Sequence, residues 1–126
     1  MGRLLWISLG GALGTAARYL LSVGLLRALG PAFPYGTLAV NVIGSFLLGV
    51  ILQGSGDAAL FSPTARVVLG TGVMGGFTTY STFNHETLQY LQAGAWVMAG
   101  LNVAVTLIVC LAAGALGVAV ARALLT

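Results

Sequence analysis

The chain has 126 residues, of which 59% are hydrophobic and 6% are charged, so a soluble domain of this length could not bury its apolar surface and the excess must face lipid. Five arginines spread along the chain give a formal net charge of +3 without a concentrated basic patch, which excludes nucleic acid as a partner. A single cysteine excludes an internal disulfide.

Apolar segments long enough to span a bilayer account for almost the whole chain. In order, they are Leu4–Leu29, Tyr35–Gln53, Ala65–Leu91 and Ala95–Leu125, separated by short connections rich in Gly, Pro and polar residues, of which the second includes Gln53–Asp57. Cleavage of the first segment as a signal peptide is not expected, because its apolar run continues well past the small residues near its middle. We therefore predict an all-α membrane protein with one domain of four transmembrane helices over residues 1–126.

On the first predicted helix, small and polar residues recur every four positions and share one face. They are Gly10, Gly14, Arg18 and Ser22. The spacing of Gly10 and Gly14 lets membrane helices approach closely, and Gly72 and Gly76 repeat it on the third segment. An arginine in mid-helix costs about 2.5–3.5 kcal/mol on insertion scales. Arg18 is therefore assigned a structural or electrostatic role: it extends to the interface, binds carbonyls freed in the third helix, or attracts an anion.

The second and fourth predicted helices carry narrow polar faces opposite apolar ones. Spacing of four residues aligns Thr37, Asn41 and Ser45 on the second helix, and Asn102, Thr106 and Cys110 on the fourth. Polar side chains in membrane helices normally point inward, to partners or to a cavity. Hydrogen bonding between helices is the favoured interpretation of Thr37, Ser45 and Asn102. The amide of Asn41 offers two N–H donors, which leaves both a structural and a pore role open.

The third segment contains an unusual stretch, Gly75–Phe83, in which two glycines precede a run of hydroxyl residues and an aromatic pair, Tyr80 and Phe83. Each glycine lowers helix propensity by about 1 kcal/mol relative to alanine, so we predict a broken helix here. Broken backbone at membrane depth is tolerated only where protein buries it or where it lines a watery cavity. The third helix is therefore predicted to be broken mid-membrane, at an ion or substrate site.

The side chains on offer around this break are mostly neutral hydrogen-bond donors. They are Asn41, Thr79, Ser81, Thr82 and Thr106. Together with the positive end of the following half-helix, about +0.5 charge, these donors suit a small anion stripped of water. The carbonyls that end the preceding half-helix suit a small cation. No nucleophile–base pair or phosphate-binding loop occurs, and His85 with Glu86 is too small a ligand set for a transition metal, so we predict that the protein is not an enzyme.

The arginines give only a weak orientation signal. Arg3, Arg66 and Arg122 fall on one side of the predicted membrane and Arg27 on the other. A bias this small is compatible with insertion in both orientations. Four short helices also struggle to enclose a pore and still cover it from lipid. We therefore predict an antiparallel, dual-topology dimer.

These motifs together resemble the Fluc-type fluoride channels, which are small four-helix membrane proteins of bacteria. The resemblance extends over essentially the whole chain. It rests on Gly10–Gly14 with Arg18, on Gly36–Asn41, and on Thr71–Phe83 with Glu86. The last motif is long and ordered, and it is the most specific of the three.

The resemblance implies a passive fluoride channel that exports fluoride from the cytoplasm. It implies an antiparallel homodimer with two pores, multi-pass in the lipid of the bacterial inner membrane. The pore residues it implies are Asn41, Tyr80, Ser81, Thr82, Phe83, Thr106 and Cys110. It also implies a structural sodium ion at the dimer axis, held by the main-chain carbonyls of Gly75 and Thr78. Two positions depart from the family pattern: Tyr80 replaces a phenylalanine, and Cys110 stands where serine is common.

Two other functions remain compatible with parts of the sequence. A small dual-topology multidrug exporter needs a carboxylate on its first helix, where this chain has no Asp or Glu. A non-transporting membrane scaffold would require neither a broken helix nor donor-bearing faces.

Overall fold

The structure is a computed structural model that describes residues 1–54 and 58–126. The α-helices of the described part are α1 (Gly2–Leu29), α2 (Tyr35–Leu52), α3 (Pro63–Val67), α4 (Gly75–Phe77), α5 (Tyr80–Gln92) and α6 (Trp96–Leu125). A π-helical segment, Val68–Met74, joins α3 to α4. Helices α1, α2 and α6 coincide with three predicted segments to within two residues at each end. The centre of the polar connection predicted at Gln53–Asp57 lies outside the described residues.

Local chemistry explains where these helices begin and end. Gly30 follows α1 with a φ of 79°, and Gly94 precedes α6 with a φ of 73°, a backbone region that glycine adopts without a Cβ penalty. Helix α3 starts after Ser62, whose Oγ accepts the N–H of Ala65 at 3.2 Å. Each turn is therefore encoded by the residues that form it.

Helices α1, α2 and α6 are each long and apolar enough to cross a membrane, judged by length and composition. Their lengths are 28, 18 and 30 residues, and their mean hydropathies are 1.3, 1.9 and 2.6. Only 11%, 28% and 11% of their most apolar stretches are buried within the chain, so the remaining surface is available to lipid. The third predicted segment, Ala65–Leu91, is divided among four shorter helical pieces, and none of them reaches this length. The protein is therefore an all-helical membrane protein.

The third segment leaves helical geometry at Thr78 and Thr79. Their ψ angles are 161° and 112°, which are extended values. Gly75 is helical, with φ −61° and ψ −37°, and α4 continues through both glycines to Phe77. The interruption thus lies inside the stretch singled out from the sequence, but after its glycine pair rather than at it.

The glycines of the third segment instead allow close packing against α1. A Cβ on Gly72 would lie 2.8 Å from the Ile7 carbonyl oxygen, and a Cβ on Gly76 would overlap the Gly11 carbonyl oxygen. From the other side, a Cβ on Gly14 would overlap the carbonyl oxygen of Val73. The two small-residue faces predicted from the sequence therefore pack against each other, backbone to backbone.

Helix α2 lies between α6 and the third segment. It approaches α6 through small residues, since a Cβ on Gly49 would lie 2.6 Å from the Gly114 carbonyl oxygen. Its other side packs on the third segment through a small apolar core that includes Val40, Met74 and Phe77. This central position brings the polar face of α2 against the interruption.

Candidate functional site

Asn41 binds the interrupted backbone directly. Its Nδ2 donates to the carbonyl oxygen of Thr79 at 3.0 Å, and its Oδ1 accepts the N–H of Thr79 at 2.8 Å. The amide oxygen therefore replaces the carbonyl that the Thr79 N–H would meet in a continuous helix, and the amide nitrogen adds a second bond at the Thr79 carbonyl. Of the two roles left open for Asn41, the structure shows the structural contact, while its second Nδ2 hydrogen remains for another acceptor.

The same contacts divert two N–H groups from the carbonyls they would meet in an α-helix. Helical pairing would send the Thr79 N–H to the Gly75 carbonyl and the Thr82 N–H to the Thr78 carbonyl. The first bonds Asn41 instead, and the second bonds Thr79 Oγ1 at 3.2 Å. Thr79 thereby acts as the N-cap of α5, and the Gly75 and Thr78 carbonyls lose the N–H partners that they would have in a continuous helix.

Two further bonds hold the polar faces of the helices together. Thr37 lies four residues before Asn41 on α2 and is 8% exposed. Its Oγ1 donates to Glu86 Oε1 at 2.6 Å. Asn102 of α6 is 1% exposed, and its Nδ2 donates to Thr87 Oγ1 at 2.9 Å. These contacts agree with the interpretation of Thr37 and Asn102 as interhelical hydrogen-bonding residues. Glu86 Oε2 is buried and makes no hydrogen bond within the described part of the chain.

A cavity of about 550 Å³ opens beside the interruption, between α2, α5 and α6. It brings together five of the seven residues predicted to line a pore. They are Asn41, Tyr80, Phe83, Thr106 and Cys110. Ser45, Thr78 and Thr79 add further polar groups, whereas the wall formed by α6 is largely apolar.

The aromatic pair lies at this cavity. The ring centroids of Tyr80 and Phe83 are 5.8 Å apart with a tilt of 57°, so both rings lie on one side of α5, as their spacing predicts. Tyr80 is 76% exposed in the single chain. Its phenol ring therefore projects from the surface of the chain next to the interruption.

The other two predicted pore residues lie elsewhere. Thr82 lines a second, smaller cavity of about 240 Å³ on the α1 side, together with Arg18, Thr15 and Ser22. Ser81 is exposed and lines neither cavity. Residues 81 and 82 follow Tyr80 at about 100° and 200° around α5, so they cannot share its face. The hydroxyl residues that are adjacent in the sequence therefore lie in different places: at the larger cavity, at the smaller cavity and on the exposed surface.

Sequence reasoning missed part of the cavity lining. The apolar residues Leu48, Val103, Leu107 and Leu111 contribute much of its wall, and Thr87 supplies the acceptor for a buried amide. The spacing of four residues that connects Val103, Leu107 and Leu111 was a usable signal. It is hidden because almost every residue of α6 is apolar, so spacing alone does not distinguish its inner face from its lipid face.

Comparison with known proteins relates these residues to a family. The family model described as CrcB-like protein, Camphor Resistance (CrcB), matches residues 5–118. A relative named fluoride-specific ion channel FluC, from Sorangium cellulosum, is 57% identical over 125 residues, which cover 99% of this chain and 98% of that protein. Proteins of the same name from Anaeromyxobacter dehalogenans and Shewanella loihica are 53% identical over 113 residues and 47% identical over 111 residues. These two alignments cover 90% and 88% of this chain, and 90% and 89% of the relatives.

Proposed function

This chain belongs to the CrcB family, and from that premise we propose that it is a fluoride-selective passive ion channel, not an enzyme, which lowers cytoplasmic fluoride by exporting it. The observation that carries the proposal is the cavity beside the interruption, where neutral donors and two aromatic rings meet. Its relatives named fluoride-specific ion channels align with nearly the full chain.

The chemistry of the cavity suits a small anion. Asn41 and Thr106 offer neutral N–H and O–H donors, and the rings of Tyr80 and Phe83 offer weakly positive edges. Helix α5 is 13 residues long and starts at Tyr80, so the positive end of its dipole, about +0.5 charge, is directed at the interruption. Neutral donors replace water around fluoride without holding it as tightly as a fixed cation would, which conduction requires.

Fluoride and chloride efflux from proteoliposomes tests this function. Purified protein is expected to release fluoride rapidly and down its gradient, with chloride retained. Equal release of the two anions would refute selectivity. A proton-coupled exporter would instead depend on a pH gradient, but α1 carries no carboxylate that could exchange protons. A scaffold would release neither anion.

We propose further that the third segment crosses the membrane as a broken helix and that a second copy covers it. Gly75, Tyr80 and Ser81 are exposed in the single chain, as are the polar Asn84 and His85 of α5. Polar groups and interrupted backbone facing lipid are costly, so these surfaces need protein or water next to them. A second, oppositely oriented copy would supply both, in a multi-pass arrangement in the bacterial inner membrane.

A structural sodium ion at the axis of this dimer is the third element of the proposal. The Gly75 and Thr78 carbonyls fit such an ion, because the N–H groups that would pair with them in a helix bond elsewhere. Oxygen ligands are those that a hard cation prefers. When bound, sodium would neutralise the carbonyl dipoles that converge where the two copies meet.

The sodium site predicts different effects for three substitutions. Thr78→Ser is expected to be mild, because the proposed ligand is a backbone carbonyl. Gly75→Val is expected to impair dimer assembly but not the fold of the chain, since the nearest atom to a Cβ there is the Gly70 carbonyl oxygen at 3.9 Å. Gly76→Val, by contrast, would overlap the Gly11 carbonyl within the same chain and should prevent folding.

Dimer content by size-exclusion chromatography, with thermal unfolding of each variant, separates these cases. Crystallography with ion replacement examines the ion itself. The sodium proposal fails if no cation is found on the dimer axis.

Dual topology is testable by fixing the orientation of the chain. The weak arginine bias allows both orientations, so about three lysines added at one terminus are expected to lock a single one. The locked form expressed alone should lose most active dimer, and co-expression with an oppositely locked form should restore it. Full fluoride efflux from one locked form alone would contradict antiparallel assembly.

A further inference from the structure

We propose that Gly44 is a positioning residue for the interruption, because its missing side chain lets the methyl group of Thr78 pack against α2. Gly44 is buried in α2, three residues after Asn41 and therefore on the same face. A Cβ built on Gly44 would overlap Cγ2 of Thr78, while the nearest atom of the Phe77 ring would lie at an ordinary 3.6 Å. The close contact therefore involves a single methyl group.

The Thr78 side chain is held in the orientation that creates this contact. Its Oγ1 donates to the Met74 carbonyl oxygen at 2.9 Å, and its N–H donates to the same oxygen at 2.9 Å. A β-branched side chain has few χ1 rotamers, so a hydroxyl fixed on the preceding turn also fixes the methyl. With the hydroxyl bound, Cγ2 points at α2. A Cβ at position 44 would therefore displace the Thr78 backbone and not simply rotate the methyl away.

Displacing Thr78 would reach the functional site in one step. Thr79 follows it directly and makes both hydrogen bonds to Asn41. Moving Thr78 away from α2 would disturb the Asn41 amide, which lines the cavity, and would also shift the Thr78 carbonyl. The consequence for sodium and fluoride rests on the proposed function, whereas the steric relation between residues 44 and 78 does not.

A double-mutant cycle tests this relation. Gly44→Ala is expected to lower the Tm of the purified protein and to reduce initial fluoride efflux by about tenfold or more, as overpacking of a tight contact does. Thr78→Ser keeps the hydroxyl bond to Met74 and removes only Cγ2, so its own Tm and efflux are the reference level for the double variant. Combining the two changes should return the Tm to that of Thr78→Ser, and efflux to within about threefold of the Thr78→Ser rate, because coupled neighbours are not additive.

Two matched controls distinguish this contact from general loss of packing. Gly49→Ala introduces the same methyl on the same helix, but the atom it would meet is the Gly114 carbonyl oxygen at 2.6 Å. Thr78→Ser should therefore not rescue Gly49→Ala. Thr78→Val keeps a methyl near position 44 and loses the hydroxyl bond, so it should not rescue Gly44→Ala.

The outcomes decide the proposal. Wild-type behaviour of Gly44→Ala, or failure of Thr78→Ser to restore it, would overturn the positioning role. If Gly44→Ala does not fold, recovery of folded dimer in the double variant supports the proposal and its absence overturns it. Failure of the proposed function gives a different result, because wild-type protein would then release chloride as fast as fluoride. The Tm values of the double-mutant cycle would still measure the contact between Gly44 and Thr78.

Discussion

Asn41→Asp is expected to abolish fluoride efflux and to destabilise the protein. The structure gives two reasons. The Asn41 Nδ2 donates to the Thr79 carbonyl oxygen at 3.0 Å, and a carboxylate would place two acceptors against each other there. Losing this hydrogen bond at the buried Thr79 costs about 1–3 kcal/mol. A carboxylate about 4 Å from a passing fluoride also opposes it by about 4 kcal/mol at an effective dielectric constant of about 20, so efflux should fall by about 100-fold or more.

Asn41→Ser separates the two reasons. Serine is too short to make both bonds to Thr79, but it remains neutral and carries a donor. We expect it to lower the Tm as Asn41→Asp does while retaining measurable, fluoride-selective efflux. Asn102→Ser is the control, because Asn102 is a buried amide that donates to Thr87 away from the cavity, whereas Asn41 is half-buried beside it. It should lower the Tm without changing selectivity.

Initial efflux rates of fluoride and chloride, measured at equal dimer content, provide the comparison. Wild-type efflux from Asn41→Asp would exclude this amide from the conduction path. Equal efflux from Asn41→Asp and Asn41→Ser would show that charge at this position is irrelevant and that only the contact with Thr79 matters.

Phe83→Ile is the second substitution with a large expected effect. Phe83 lines the cavity, and its ring centroid lies 5.8 Å from that of Tyr80. An aromatic edge is weakly positive and can meet fluoride in a dry pore, whereas an isoleucine offers nothing polar in its place. The substitution also removes the Tyr80–Phe83 ring pair, and aromatic pairs contribute up to about 1.5 kcal/mol, so we expect efflux to fall by about tenfold or more.

Tyr80→Phe is the complementary change at the other ring. It keeps the ring edge and removes only the hydroxyl group. If the edge is what meets fluoride, efflux should remain within about threefold of wild type with selectivity intact. If the hydroxyl group itself is the ligand, Tyr80→Phe would be the more damaging of the two variants. We expect the former, because the resemblance to the fluoride channels implies phenylalanine at this position.

The exposure of Tyr80 allows a test of the proposed dimer. The residue is 76% exposed in the single chain and should be covered when a second copy binds. Tyrosine fluorescence is too diffuse for this purpose with four tyrosines present, so solvent access to a cysteine is the better measurement. In a background with Cys110→Ser, a cysteine introduced at position 80 should react with a soluble thiol reagent in monomer and be protected in dimer. Equal labelling in both forms would argue against a subunit interface at this residue.

The sequence by itself determined the class of the molecule. Apolar runs of about 20 residues are long enough to span the hydrocarbon core of a bilayer as helices, and α1, α2 and α6 form where those runs lie. Spacing of four residues also identified the polar faces correctly, because a helix repeats every 3.6 residues whatever it packs against. For this reason Asn41 and Thr37 both hydrogen-bond to the third segment, at Thr79 and Glu86. The ordered motif in the third segment, together with the motifs on the first two helices, identified the family.

Only the tertiary structure decided where the third helix is interrupted and which residues share a cavity. Propensity pointed to Gly75 and Gly76, yet both are helical, and the backbone opens at Thr78 and Thr79. The physical reason is that Asn41, 38 residues away in sequence, offers both a donor and an acceptor to Thr79, and this outweighs a local preference of about 1 kcal/mol. Gly76 instead serves packing against α1, where a Cβ would meet backbone atoms of Gly11 and Thr15. Neither partner is visible from the third segment alone, because each contact joins helices that only the folded chain brings together.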